Sequence, residues 1–209
     1  MQHEDGFATE FRVMKTNRVE AFSDGVIAII ITIMVLELHP PHTADFAALH
    51  PLFGIFLSYL LSFVFLGIYW NNHHHMLHVV NEVSGPVLWA NLHLLFWLSL
   101  IPFATGWMGE NCFAAGPVAL YGIVLLGAAC AWWILKRSFI AKEGKHSTLA
   151  TAMGKDSKGK LSILFYVAAI AVALFQPWIS CALYVIVAAM WLIPDRRIER
   201  TMTGASRRN

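Results

Sequence analysis

The chain has 209 residues, of which 57% are hydrophobic and only 13% are charged, and its formal net charge is +2. A soluble domain carries about a quarter charged residues, so this composition excludes an ordinary soluble protein and predicts an integral protein of the lipid bilayer. The net charge is too small to argue for a nucleic-acid partner, and none is predicted.

Six stretches are apolar enough to be membrane-spanning helices, since one span needs about 20 mostly apolar residues. The predicted helices cover residues 17–38, 52–70, 87–107, 118–135, 161–175 and 178–193. Pro102 lies inside the third helix and predicts a kink there. Because no internal repeat is visible, we predict an all-α polytopic membrane protein in which residues 1–209 form a single six-helix transmembrane domain.

The basic residues predict the orientation of this domain. All 15 lysines and arginines precede or open the first predicted helix, lie between the fourth and the fifth, or follow the sixth. The connections at residues 39–51, 108–117 and 176–177 carry none. Lysine and arginine are retained on the cytoplasmic side, so both termini are predicted to be cytoplasmic in a multi-pass protein of the cell membrane.

The first predicted helix carries polar groups that a plain membrane anchor would not keep. Asn17 and Glu20 have the spacing of a capping box, which predicts that the helix begins at Asn17 and that Asp24 lies about two turns inside it. Arg18 and Asp24 are six positions apart and cannot pair within one helix. Each needs a partner on another helix or in water, and an intramembrane aspartate is by default a functional or packing site.

A stripe of side chains follows at helical spacing beyond Asp24. It contains Ile29, Thr32, Ile33 and Leu36. The spacing alone fits two interpretations, a packed helix interface in which the threonine bonds its own backbone, or the lining of a permeation path.

The motif R-x-x-x-F-S-D is present as Arg18, Phe22, Ser23 and Asp24, followed by a small residue and an apolar helix with alanine and threonine. This arrangement resembles the signature first helix of the transmembrane protein 175 family of potassium channels. Residues 95–103 in the third predicted helix also resemble that family.

The resemblance implies a non-standard potassium channel fold in which the first helices line one central pore. A chain with a single six-helix unit is then expected to form a homotetramer, with K⁺ as the permeant ion and no cofactor. The sequence has no Thr-Val-Gly-Tyr-Gly filter, so selectivity would come from side chains of the pore helix. The implied function is a moderately potassium-selective leak channel with a hydrophobic constriction.

By the same resemblance, Ile29 forms the narrowest apolar ring of the pore, with Ile33 and Leu36 above it. Thr32 then supplies hydroxyl groups that replace water lost by the ion. Glu37 is placed at the outer mouth, where its charge would concentrate cations.

The motif residues Arg18, Phe22, Ser23 and Asp24 are implied to form an interhelical network with polar groups at the inner ends of the second and third helices. The candidate partners are Trp70, His74, Asn91 and His93.

The alternative function is a secondary transporter of a small cation or solute. Transporters usually show inverted repeats and a charge near the midplane, whereas Asp24 and Glu37 bracket the first helix of this chain. That placement favours the channel.

A histidine-rich stretch at residues 70–78 raises the question of an enzyme. His74 and His78 are four residues apart and share a helix face, as metal ligands can. Several histidine boxes would be needed for a membrane di-iron enzyme, and the histidines at positions 39, 42 and 50 are predicted on the opposite side of the membrane. The pattern of this stretch fits four interpretations: lining of a vestibule, interhelical hydrogen bonding, a regulatory or adventitious metal site, and a catalytic metal site. We predict one of the first two, and therefore neither an enzyme nor a metal site.

Overall fold

A computed structural model describes residues 14–78, 80, 82–143 and 157–192 of the chain. Helices dominate these residues. The described helices are α1 (Thr16–Leu36), α2 (Phe53–His78), α3 (Gly85–Ser99), α4 (Ile101–Glu110), α5 (Ala115–Glu143), α6 (Ser157–Ala173) and α7 (Pro177–Leu192). A 3-10 helix, Phe46–Leu52, leads into α2.

The all-α prediction needs one small addition. Two short strands, β1 (Met14–Lys15) and β2 (Glu82–Val83), pair antiparallel beside the start of α1. The buried hydroxyl of Thr16 donates to the carbonyl of Val80 at 2.8 Å. These bonds attach the start of α1 to the connection between α2 and α3.

The second helix is longer than predicted. It continues from the predicted limit at residue 70 to His78, so the histidine-rich stretch lies on its last turns. Polar residues do not end a helix by themselves, and Asn72 donates its side-chain amide to the carbonyl of Ile68 at 2.7 Å. The predicted limit was wrong because it followed hydropathy alone.

The third predicted helix is divided into α3 and α4 at Leu100. Pro102 has no N–H to donate to the residue four positions earlier, so the helical hydrogen bonding is interrupted at this point. The amide of Leu100 instead bonds the carbonyl of Trp97 at 3.3 Å. The sequence predicted a kink at Pro102 within one helix, and the structure instead has two helices that meet at Leu100.

Four helical segments of the described chain are long and apolar enough to cross a membrane by length and composition. They are Thr16–Leu36, Phe46–His78, Gly85–Glu110 and Ala115–Lys142. The helices α6 and α7 are shorter, with 17 and 16 described residues. The count of six spans therefore stays a prediction.

The helices pack as one bundle in which α1 contacts α2, α3 and α4, while α5 contacts α3, α4 and α6. A buried polar cluster lies inside it. The hydroxyl of Ser62 on α2 bonds the hydroxyl of Thr105 on α4 at 2.6 Å and that of Tyr121 on α5 at 2.9 Å. Because hydrocarbon offers no water to these groups, their mutual bonds hold the three helices in register.

Close packing between α3 and α5 depends on Gly127. A β-carbon added at this position would overlap the indole ring of Trp97, whereas one added at Gly67 on α2 meets nothing within 4 Å. Gly127→Ala should therefore destabilise the protein by about 1–3 kcal/mol through overpacking. Gly67→Ala should be neutral or slightly stabilising, since alanine is favoured over glycine in a helix by about 1 kcal/mol.

Thermal unfolding of both variants in detergent measures this difference. A melting temperature for Gly127→Ala at or above that of Gly67→Ala would contradict the packing described here.

Candidate functional site

Polar side chains of three helices meet at one end of the bundle, which we call the motif end. It comprises residues 18–24 of α1, residues 70–78 of α2 and Asn91 of α3. The chain reverses direction between α1 and α2, so the start of one helix lies beside the end of the other. Groups that are far apart in sequence therefore contact each other here.

Asp24 receives its partner from α2. The indole Nε1 of Trp70 donates a hydrogen bond to Oδ1 of Asp24 at 3.0 Å. The expectation that this carboxylate needs a partner on another helix is met by Trp70, one of the candidates named from the sequence. An indole N–H stabilises the carboxylate without introducing a second charge.

Ser23 begins a buried chain of hydrogen bonds that crosses three helices. Its hydroxyl donates to the carbonyl of Val19 at 2.8 Å and accepts from Nδ2 of Asn91 at 2.9 Å. Oδ1 of Asn91 lies 2.7 Å from Nε2 of His73. The hydroxyl of Ser23 already donates to Val19, so it must accept from the Asn91 NH₂ group. The Asn91 oxygen then faces His73 and accepts a hydrogen bond, which places the proton of neutral His73 on Nε2.

A second histidine contact lies at the side of this chain. Nδ1 of His74 bonds Oε1 of Glu20 at 2.9 Å, and Nε2 of His78 lies 3.0 Å from Nε2 of His74. The ring of Trp70 stacks on that of His74 with centroids 5.8 Å apart. Glu20 therefore forms a hydrogen bond with His74 of α2 and does not form the predicted capping box. The helix α1 begins at Thr16, one residue before the predicted start at Asn17.

Three named residues lie outside these contacts. Arg18 and Phe22 are exposed, and within the described part of the chain Arg18 makes no hydrogen bond or ion pair. His93 accepts a bond from Nε1 of Trp97 at 3.0 Å on its own helix. His93 is two positions after Asn91, which corresponds to a rotation of about 200° around the helix, so Asn91 faces the motif and His93 does not. His93 is therefore not a partner of the motif in the described chain.

The helix α1 has two apolar faces in different environments. Ile27, Ile30 and Met34 are buried against the other helices, Ile30 to 4% exposure. On the other face, Ile29 is 58% exposed, Ile33 44% and Leu36 71%.

The exposed face of α1 also contains Thr32 and two small residues, Gly25 and Ala28. The hydroxyl of Thr32 donates to the carbonyl of Ile29 at 2.8 Å, which satisfies its hydrogen while leaving its lone pairs available. Glu37 lies just past the end of α1 and is exposed.

Comparison with known proteins identifies the family. Residues 18–102 match the profile of the family described as "Endosomal/lysosomal potassium channel TMEM175". A Chryseobacterium sp. protein named as a potassium channel is 53% identical over 189 residues, which cover 90% of this chain and 98% of the relative. The chain belongs to the TMEM175 family.

Other similar proteins agree with this assignment. A Streptomyces collinus protein named as a potassium channel is 32% identical over 136 residues, covering 59% of this chain and 66% of the relative. The crystal structure titled as a lysosomal potassium-selective channel TMEM175 homolog from Chamaesiphon minutus superposes with a TM-score of 0.73 at 24% identity, covering 85% of this chain and 96% of that one. The fold is therefore the TMEM175 fold.

The buried chain through Asn91 generates a testable prediction. Asn91→Leu removes the amide and leaves the buried His73 and Ser23 without that partner, at a cost of about 1–3 kcal/mol for each unsatisfied group. His93→Gln changes an exposed residue two positions away and should shift stability by less than about 0.5 kcal/mol. Thermal unfolding in detergent compares them, and equal melting temperatures would show that the Asn91 contacts contribute nothing.

Proposed function

We propose that this protein is a potassium channel that conducts passively as a moderately selective leak, and that the exposed face of α1 lines its pore. The observation that carries the proposal is the division of α1 into a buried face and an exposed face that combines isoleucines with one threonine and two small residues. Family membership and the names of the bacterial relatives support potassium as the ion. Ion channels are not enzymes, and no step of permeation needs a catalytic residue.

Self-association would create the pore. Within a bilayer, large apolar side chains are as stable against lipid as against another helix. Helix faces that pack together are instead enriched in small side chains, which let the backbones approach closely. Gly25 and Ala28 give the exposed face of α1 this character near the motif end. We propose a homotetramer in which four copies of α1 surround a central axis, with six spans per chain.

The basic residues orient this assembly in the cell membrane. Since lysine and arginine stay on the cytoplasmic side, the motif end would face the cytoplasm and Glu37 the outside. The carboxylates of Glu37 would then raise the local concentration of cations at the outer mouth.

The narrowest part of the path would be a ring of Ile29 side chains. Such a ring blocks ions by excluding water, because an ion that loses hydration without replacement oxygens incurs a penalty on the order of several kcal/mol. Opening would widen the ring. Thr32, one turn further, presents hydroxyl lone pairs that would replace part of the hydration shell and favour the ion that dehydrates more readily.

The first test is transport by the purified protein. In liposomes it should pass K⁺ and Rb⁺ similarly and Na⁺ more slowly, because the proposed stripe offers few oxygen ligands and no charge. Flux is measured with a potassium gradient and a voltage-sensitive dye. Flux equal to that of empty liposomes, or flux strictly coupled to a second ion gradient, would reject the channel and favour the transporter.

The second test locates the pore face on α1. Ile29→Asn places polar groups at the proposed constriction, so flux should rise and the preference for K⁺ over Na⁺ should fall. Thr32→Ala should lower selectivity with a smaller change in flux, since it leaves the apolar ring intact. Both variants should remain folded, because both positions are exposed in the single chain.

The matched control is Ile30→Asn, one residue along the helix. Ile30 is buried, so an amide there lacks a hydrogen-bond partner and should reduce the yield of folded protein without increasing flux. If Ile30→Asn folds and conducts as expected for Ile29→Asn, the pore face is misassigned by one residue.

A further inference from the structure

Glu20, His74 and His78 form a cluster at the side of the motif end, and their side chains are of the types that bind metal ions. Glu20, His74 and His78 each offer one ligand atom, and these three atoms lie within 4.8 Å of one another. Two imidazoles and one carboxylate form a donor set that proteins use for Zn²⁺ and related divalent transition metals. From this geometry we propose that Glu20, His74 and His78 form a divalent transition-metal site that bridges α1 and α2.

The two histidines are already positioned as a chelating pair. They are four residues apart on one helix face, the spacing at which two histidines bind a single zinc ion. Their Nε2 atoms are 3.0 Å apart, close to the roughly 3.3 Å edge of a tetrahedron with metal–nitrogen bonds of about 2.0 Å. A metal ion would take the place of the hydrogen bond between these atoms, with each neutral ring carrying its proton on Nδ1 and offering the lone pair of Nε2.

Glu20 supplies the third ligand from the other helix. Its Oε1 atom is 2.9 Å from Nδ1 of His74 and 4.0 Å from Nε2 of His78. Because one imidazole binds an ion through a single nitrogen, His74 would bind through Nε2, and the Glu20 carboxylate would exchange its hydrogen bond to Nδ1 for a bond to the ion. The carboxylate would also neutralise part of the charge of the cation, which two neutral imidazoles cannot do.

Surrounding contacts fix part of the site and leave one side open. The Trp70 ring, whose N–H is held by Asp24, stacks on His74 and limits its rotation. The side chain of Glu20 is only 19% exposed, while that of His78 is 54% exposed. An ion can therefore enter past His78 and keep a water molecule as its fourth ligand, as in open tetrahedral zinc sites.

The neighbouring His75 provides a matched control. It lies on the same turn as His74 and is exposed, but it is not part of the three-residue cluster. Its ring contacts that of His74 with centroids 5.8 Å apart, as the ring of His78 does at 4.3 Å, but His75 supplies no ligand atom to the cluster. Both substitutions remove one histidine, so a difference in Zn²⁺ affinity between His75→Gln and His78→Gln would reflect membership of the cluster and not the number of histidines.

The test is calorimetric titration of full-length protein in detergent, after removal of any polyhistidine tag, with Zn²⁺ as the probe. We expect one high-affinity Zn²⁺ per chain. The affinity should fall by at least about tenfold in His78→Gln, His74→Gln and Glu20→Gln, as expected when a ligand or its supporting carboxylate is lost. His75→Gln should bind as the parent does.

Visible absorption after titration with Co²⁺ gives an independent readout, because tetrahedral coordination produces intense d–d bands that should disappear in His78→Gln. Three results would each overturn the proposal: no saturable Zn²⁺ binding by the parent protein, equal binding by His78→Gln and the parent, or equal weakening by His75→Gln and His78→Gln. Neither measurement depends on ion flux, so the site can fail without affecting the proposed channel, and the channel can fail without affecting the site.

Discussion

The buried hydrogen bonds from Ser23 through Asn91 to His73 are the constraint on which the arrangement of α1 depends. An unpaired polar group in hydrocarbon costs several kcal/mol of free energy, so these three side chains can be buried only if they bond one another. Their pairing sets the rotation of α1 about its own axis. Once Ser23 faces α3, Ile27, Ile30 and Met34 must also face the bundle, since they follow on the same side of the helix.

That rotation leaves the opposite face of α1 unpacked within the chain. Ile29, Ile33 and Leu36 remain exposed although α1 contacts three other helices. Ser23 of the motif thus helps to decide which side chains of α1 remain exposed. It does so through its own buried contacts and not through the exposed face.

Sequence patterns predicted much of the fold because hydropathy and proline act locally. Helix positions followed from apolar length, and an irregularity near the break between α3 and α4 followed from the missing N–H of Pro102, although it was predicted as a kink within one helix. The predicted end of α2 was wrong. It was placed at residue 70, before a run of asparagines and histidines, yet a helix continues through such residues when neighbouring helices and its own backbone satisfy them.

By itself the sequence determined that the chain enters a membrane and which residues of α1 are polar, and its motif indicated the family. It also showed that Asp24 needs a partner outside its own helix, because six residues is the wrong spacing for an intrahelical pair. Only the tertiary structure decided that the partner is Trp70, that Asn91 and not His93 faces the motif, and that Glu20 joins His74 and His78. Those choices depend on the relative rotation and axial shift of α1, α2 and α3, which arise from contacts distributed over the whole bundle and are not encoded in any single segment.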